Sequence, residues 1–307
     1  MGGLTDALLI GLLLLLSTFQ SLLCRKYSDH YPGDPAMSSP VFSIVSGLIV
    51  ALVTFAFAGF SFSAKPLTLL LGGCNAVALF LYNTCMIKAS QSGPYSVLMT
   101  FMLAGGIVVP AVVNFFAFHT PLSVVQIISI LAIFSAIYII SYKKGEEKGN
   151  LGFYIACVGL FLFNGAYGML LDLQQKLTGE AEKEEMVILT YLGSLTISAI
   201  VLLVTRGRSF VRAFRQTKRS LFYMLACAAV ISMAMNLLVI ILQIIENSTI
   251  LFTFDNAGVM LLSVLISHFF FKERLSRLNW VGCVIMCLSL ICVSVFTVDM
   301  VNSLFAK

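Results

Sequence analysis

Apolar residues fall into ten long runs, separated by short polar or proline-bearing joints. By number the runs are 5–24, 40–60, 67–87, 95–118, 122–141, 151–171, 186–205, 221–245, 248–271 and 278–298. A helix needs roughly 20 apolar residues to cross the hydrocarbon core of a bilayer, so each run reads as one spanning helix. Pro32, Pro35 and Pro40 precede the second run, Pro66 the third, Gly93-Pro94 the fourth and Pro121 the fifth. These are stop signals of the ordinary kind. Pro110 lies inside the fourth run and predicts a kink, because it removes a backbone donor from the helix.

The pattern repeats. Sliding the chain by half its length lays Ser96–Val124 on the segment from residue 249 to Arg277. Thr100 then meets Thr253, Phe101 meets Phe254, Ala104 meets Ala257, Gly105 meets Gly258, Phe116 meets Phe269 and Ser123 meets Ser276. Upstream, Cys74 meets Cys227 and Asn83 meets Asn236 at the same offset. The chain therefore reads as two copies of one five-helix unit, residues 1–142 and 151–307, joined by a linker at 143–150. Five is odd, so tandem copies insert with opposite orientation. The expected fold is all-α: ten transmembrane helices arranged as two inverted five-helix repeats. Many secondary transporters share this architecture, with the substrate site near the midplane between repeats.

Loop charge sets a direction. Fifteen of the nineteen Lys and Arg residues lie in the loops after runs one, three, five, seven and nine, from Arg25-Lys26 to Lys272, Arg274 and Arg277. The positive-inside rule puts those loops in the cytoplasm and both termini outside. The acidic 172–185 loop would then be external. Trp280 opens the last helix, where an interfacial aromatic belongs.

Composition agrees with the periodicity. The chain is 59% hydrophobic and 11% charged, against about 25% charged in soluble domains. The net charge of +5 resides in short loops and serves membrane orientation rather than nucleic acid. The apolar stretch from Ala7 to Cys24 could mimic a signal peptide, but the segment before it holds Asp6 and no Lys or Arg, so it is read as a mature helix. The eight cysteines form no C-x-x-C pair and read as packing residues. His30, His119 and His268 are scattered, and no metal site or cofactor is expected. No phosphate loop, G-x-S-x-G or H-E-x-x-H occurs, so nothing points to an enzyme.

One stretch carries a resemblance. After the small-residue patch Ala257-Gly258 comes Phe269-Phe270-Phe271-Lys272-Glu273-Arg274-Leu275-Ser276, and then a helix opened by Trp280-Val281-Gly282. This resembles the end of each repeat in the EamA-like, ten-helix branch of the drug/metabolite transporter superfamily. In the first copy His119-Thr120-Pro121 replaces the charged corner and departs from the family's acidic signature. The resemblance implies a five-plus-five inverted bundle that moves small metabolites, amino acids or drugs by alternating access. It also implies cytoplasmic termini, the opposite of the loop-charge reading, so sidedness stays open.

Polar residues inside spans mark sites, because they are costly in lipid. Asp255 is the candidate for a coupling proton or cation. A structural acid bonded to a neighbour is the alternative. Asn83, Asn236, Asn256, Asn164, Tyr167 and Gln20 are candidate substrate contacts. The mirrored Asn83 and Asn236 could also serve as glue between helices. Tyr82 falls towards a helix end on this reading. The small residues at Ala104-Gly105-Gly106 and Ala257-Gly258 suit close helix packing.

The reading is thus a secondary active transporter, an exporter or exchanger, of small organic metabolites or drugs. Its partners would be a small-molecule substrate, the lipid bilayer and protons, with no nucleic acid; a homo-oligomer is left open. The expected location is a bacterial plasma membrane, with the chain passing through it many times. A non-transporting scaffold or receptor is the alternative, and an intramembrane enzyme a more distant one.

Overall fold

The structure is a computed structural model and describes residues 3–117, 119–142, 150–178, 182–207, 210–244, 248–273 and 275–296. The linker expected at 143–150 therefore lies, apart from Asn150, outside the described residues. The helices in chain order are α1 (Gly3–His30), α2 (Pro35–Phe57), α3 (Pro66–Ser92), α4 (Tyr95–Ala117), α5 (Val124–Ser141), α6 (Leu151–Thr178), α7 (Lys183–Arg206), α8 (Phe210–Ala213), α9 (Lys218–Ile244), α10 (Ser248–Phe269) and α11 (Arg277–Val295).

Among the described residues nine helices are long and apolar enough to cross a membrane, and Asp255–Phe269 forms a shorter apolar helix within α10. The outward faces of the bundle are apolar too: Leu52, Leu131 and Phe222 are each more than half exposed. The protein is an integral, multi-pass membrane protein whose outer surface suits lipid.

Several helices overrun their apolar runs, because polar residues can finish a helix from within. In α1 the chain continues helical past Cys24. Arg25 and Asp29, one turn apart, pair at 3.4 Å, and the His30 ring bonds the Lys26 carbonyl at 2.9 Å. The third run extends to Ser92, whose hydroxyl donates to the Lys88 carbonyl at 2.7 Å. Tyr82 consequently sits well inside α3 and not towards its end. Pro40 does not precede α2 but lies within it. The helix starts five residues earlier, where the Asp34 carboxylate accepts from the Ala36 amide at 3.0 Å and Pro35 takes the first helical position, the place proline fits best. The basic stretch after α7 holds the short α8, which hydropathy alone does not reveal.

The packing is suggestive of pseudo-symmetry. Let α1–α5 correspond to α6, α7, α9, α10 and α11. Then α2 packs on its counterpart α7, α4 on α10 and α5 on α11. The pair α1–α9 answers α3–α6, and α2–α9 answers α3–α7.

The clearest exchange joins α5 and α11. Each begins with a capping box, Ser123 with Gln126 and Ser276 with Asn279. Such a box pairs two orphan amides at a helix start. Each box residue then reaches the far end of the other helix. Gln126 Nε2 donates to the Val293 carbonyl at 2.8 Å, and Asn279 Nδ2 donates to the Ile140 carbonyl at 2.9 Å. Val293 stands to Ile140 as Asn279 stands to Gln126 along the sequence, so the two bonds are equivalents traded across the pair.

Candidate functional site

Three adjoining compartments run through the bundle. The first has a volume of about 210 Å³ and lies among α4, α6, α7, α9 and α10, with Asn164, Tyr167, Lys183, Asp255 and Asn256 on its wall. It reaches the surface beside Asp172, whose side chain is 43% exposed and pairs with Lys176 at 2.6 Å. The second, about 120 Å³, is shared by α1, α2, α3, α6, α7 and α9 and is lined by Gln20, Tyr82, Asn83, Tyr167 and Tyr191. The third, about 20 Å³, is just roomy enough for a water molecule and touches Ser21, Cys24 and Cys227. Asn164, Tyr167 and Met235 form the common wall of the first two, and Gln20, Tyr82 and Asn83 that of the last two.

Beyond the third compartment the bundle is sealed. The Ser21 and Tyr95 hydroxyls lie 2.6 Å apart. Tyr95 and Ser96 open α4, where backbone amides have no helical partner, and the Glu273 carboxylate accepts from both. Glu273 also accepts from the Ser96 hydroxyl at 2.8 Å and the Ser267 hydroxyl at 2.6 Å. Arg25 donates to the Gly93 carbonyl at 2.8 Å. Its guanidinium sits 5.3 Å from the centre of the Phe271 ring, and the Lys26 ammonium 5.0 Å from it, within range for cation–π attraction. One plug therefore ties the ends of α1, α3 and α10 to the start of α4.

The residues singled out from the sequence separate into groups. Asp255 lines the first compartment. Its Oδ2 accepts one long bond, 3.5 Å, from Ser17, and its Oδ1 is enclosed without a hydrogen-bond partner among the described residues. Asn256 lines the same compartment. Asn164 stands at the junction of the first two and donates to the Met102 carbonyl at 2.7 Å. Tyr167 stands beside it, its hydroxyl 3.5 Å from the Met235 sulfur. Gln20 and Asn83 line the inner compartments, and Asn83 Nδ2 donates to the Ser43 hydroxyl at 3.1 Å.

Asn236 goes elsewhere. It is buried, and its Nδ2 donates to the Ser232 carbonyl at 2.8 Å and the Thr54 hydroxyl at 3.3 Å. Both asparagines thus bond α2, but only Asn83 is among the residues lining these compartments.

Sequence reasoning missed Tyr191 and Lys183 at the cavity, Ser17 behind Asp255, and Glu273 and Tyr95 at the plug. A signal for Glu273 was present: a carboxylate just past a spanning helix, in a corner otherwise basic. Tyr191 and Ser17 carry none, since neither type stands out in an apolar helix. Among the described residues no group of three or more His, Cys, Asp or Glu is gathered to hold a metal ion.

No family model matches the sequence, and no curated protein matches it. The fold is similar to that of solved structures. One, described only as "Crystal structure of protein", superposes with a TM-score of 0.58 over 97% of this chain and 99% of its own, at 11% identity. At that identity the likeness shows the fold alone: a polytopic, all-helical membrane protein, consistent with the drug/metabolite transporter superfamily and not specific to it.

Proposed function

We propose that this protein is a secondary active transporter, an exporter or exchanger, of small organic metabolites or drugs. It works by alternating access between two inverted five-helix halves, residues 1–142 and 151–307, in the manner of the EamA-like drug/metabolite transporters. The observation that carries the reading is the run of compartments from the Asp172 mouth to the plug at Tyr95 and Glu273. A path open at one end and bonded shut at the other is what one state of an alternating-access cycle requires. The traded bonds of α5 and α11 support the inverted repeat, with α10 as the tenth span.

In this reading Asp255 carries the coupling proton or cation. Asn164, Tyr167, Asn256, Gln20 and Asn83 contact the substrate, while Asn236, the mirrored candidate, bonds Thr54 of α2. Loop charge places the open mouth outside and the plug in the cytoplasm, in a bacterial plasma membrane. The two adjoining volumes, about 210 and 120 Å³, together only reach the low end of the roughly 300–1,000 Å³ of drug-sized sites and favour small solutes.

The test is uptake into proteoliposomes with a metabolite panel, with and without a pH gradient. Gradient-driven flux of at least one solute is expected, with Asp255→Asn reducing it more than tenfold. Unchanged flux in the variant removes the coupling role. A panel in which no solute moves removes the transporter reading.

A further inference from the structure

The donors and acceptors around Asp255 describe what the cavity holds. Among the described residues the charged side chains on the compartment walls are Asp172, Lys183 and Asp255. Asp172 has its own cation in Lys176 and sits at the mouth. Lys183 is buried at the start of α7. Deeper in, among the described residues Asp255 has no cation paired with it: it accepts one distant hydroxyl, Ser17, on Oδ2, and its Oδ1 is enclosed without a hydrogen-bond partner. An ionised carboxylate out of water is strongly disfavoured unless paired.

The neutral groups lean the same way. Asn164 and Asn83 spend amide donors inside the protein, on Met102 and Ser43. Tyr167 and Tyr82 turn their hydroxyls to the sulfurs of Met235 and Met102. The amide carbonyls, the phenol lone pairs and the Asp255 carboxylate remain as acceptors on the walls. Three aromatic side chains, Tyr82, Tyr167 and Tyr191, line the second compartment and offer an apolar body a large contact area. A hard metal ion is a poor match, since it takes six or more oxygen ligands, several of them carboxylates.

We infer that the occupant is a small protonated amine. Its ammonium group pairs with Asp255, its N–H groups meet the amide and phenol oxygens, and its apolar body lies against Tyr82, Tyr167 and Tyr191. The inference rests on reading the cavity as the transport site and supplies the substrate class.

The test is binding to the purified, full-length protein in detergent, by calorimetry and by thermal shift. The probes share one body and differ in charge: 3,3-dimethylbutylammonium, 3,3-dimethyl-1-butanol and 3,3-dimethylbutanoate. The ammonium is expected to bind at least tenfold more tightly than the alcohol, and the carboxylate not at all. Asp255→Asn should remove the preference and Asp255→Glu restore part of it. Equal or tighter binding of the alcohol or carboxylate overturns the inference, as does ammonium binding unchanged in Asp255→Asn. Absence of ammonium binding to the wild type also overturns it, so the result stands even if the variants do not fold.

Flux measured in parallel separates the two claims. Ammonium that binds but is not carried leaves the amine site standing without the transporter. A solute that is carried and not competed by the ammonium leaves the transporter standing without the amine site.

Discussion

Each end of the bundle uses a glutamate to hold the start of a helix, with very different consequences. At the plug, Glu273 is buried, with 9% of its surface exposed, and gathers the first amides of α4 together with the Ser96 and Ser267 hydroxyls. At the mouth, Glu182 accepts from the Lys65 amide, just before α3, at 3.0 Å and faces the Lys65 ammonium at 3.5 Å. The lysine is two-thirds exposed, so water and salt compete for that pair. A carboxylate at a helix start is favoured in both places, but at Glu273 all four donors are buried, whereas at Glu182 only the Thr68 hydroxyl is buried and the Lys65 partners reach water. That is why one end can act as a seal and the other as a rim.

Removing the buried acid should have the largest effect. Glu273→Ala strips two amides and two hydroxyls of their acceptor, and each orphaned buried donor costs about 1–3 kcal/mol. A loss of about 3 kcal/mol or more is expected, measurable as a lowered melting temperature in detergent. The plug should also loosen. Cys24 is buried against the third compartment and should react faster with a water-soluble maleimide, while Cys74, on the outward face of the spanning helix α3, should stay unreactive. If Cys24 stays protected in a folded Glu273→Ala protein, the seal does not depend on this acid.

A middle-sized effect is expected where α4 crosses α6, between plug and mouth. A Cβ on Gly105 would overlap the Phe161 carbonyl, which is backbone and cannot swing aside. Its counterpart Gly258 faces the tip of Leu14, a side chain that can turn. Gly105→Ala should cost about 1–3 kcal/mol, the usual range for overpacking, and Gly258→Ala less. Equal losses in thermal melts would show that the α4–α6 and α10–α1 crossings are equally tolerant.

The smallest effect belongs to the rim. The Thr68 hydroxyl and the Lys65 amide donate to Glu182 and hold its carboxyl below the ordinary range. A depressed folded pKa stabilises the protein above the unfolded value, about 4.3 for Glu, and that contribution is lost as pH falls through the folded value. Melting curves across the acid limb should fall slightly more steeply for the wild type than for Glu182→Gln, with high salt shrinking the difference. Parallel curves would make Glu182 energetically silent.

Much of this was legible along the chain because hydropathy is a local property. A run of twenty apolar residues has one inexpensive arrangement in lipid, the helix, so each span can be located without knowing its neighbours. The likeness of Ser123 to Ser276 was legible too, and each does begin a capping box at the start of its helix. The helix ends were less so. Pro40 reads as a boundary by type, yet Asp34 and Pro35 start α2 before it. Asn83 and Asn236 read as equals by position, yet Asn83 lines the second and third compartments while Asn236 bonds Thr54 and Ser232.

By itself the sequence determined that the chain is a many-spanned membrane protein, with polar side chains at depths where they must find partners. Only the tertiary structure decided which partners they find. Glu273 meets amides 177 and 178 residues away, and the second compartment exists only where six helices leave space between them. Spans follow from the free energy of transferring neighbouring residues into lipid, whereas a plug and a cavity follow from distances between residues that the chain's order leaves undetermined.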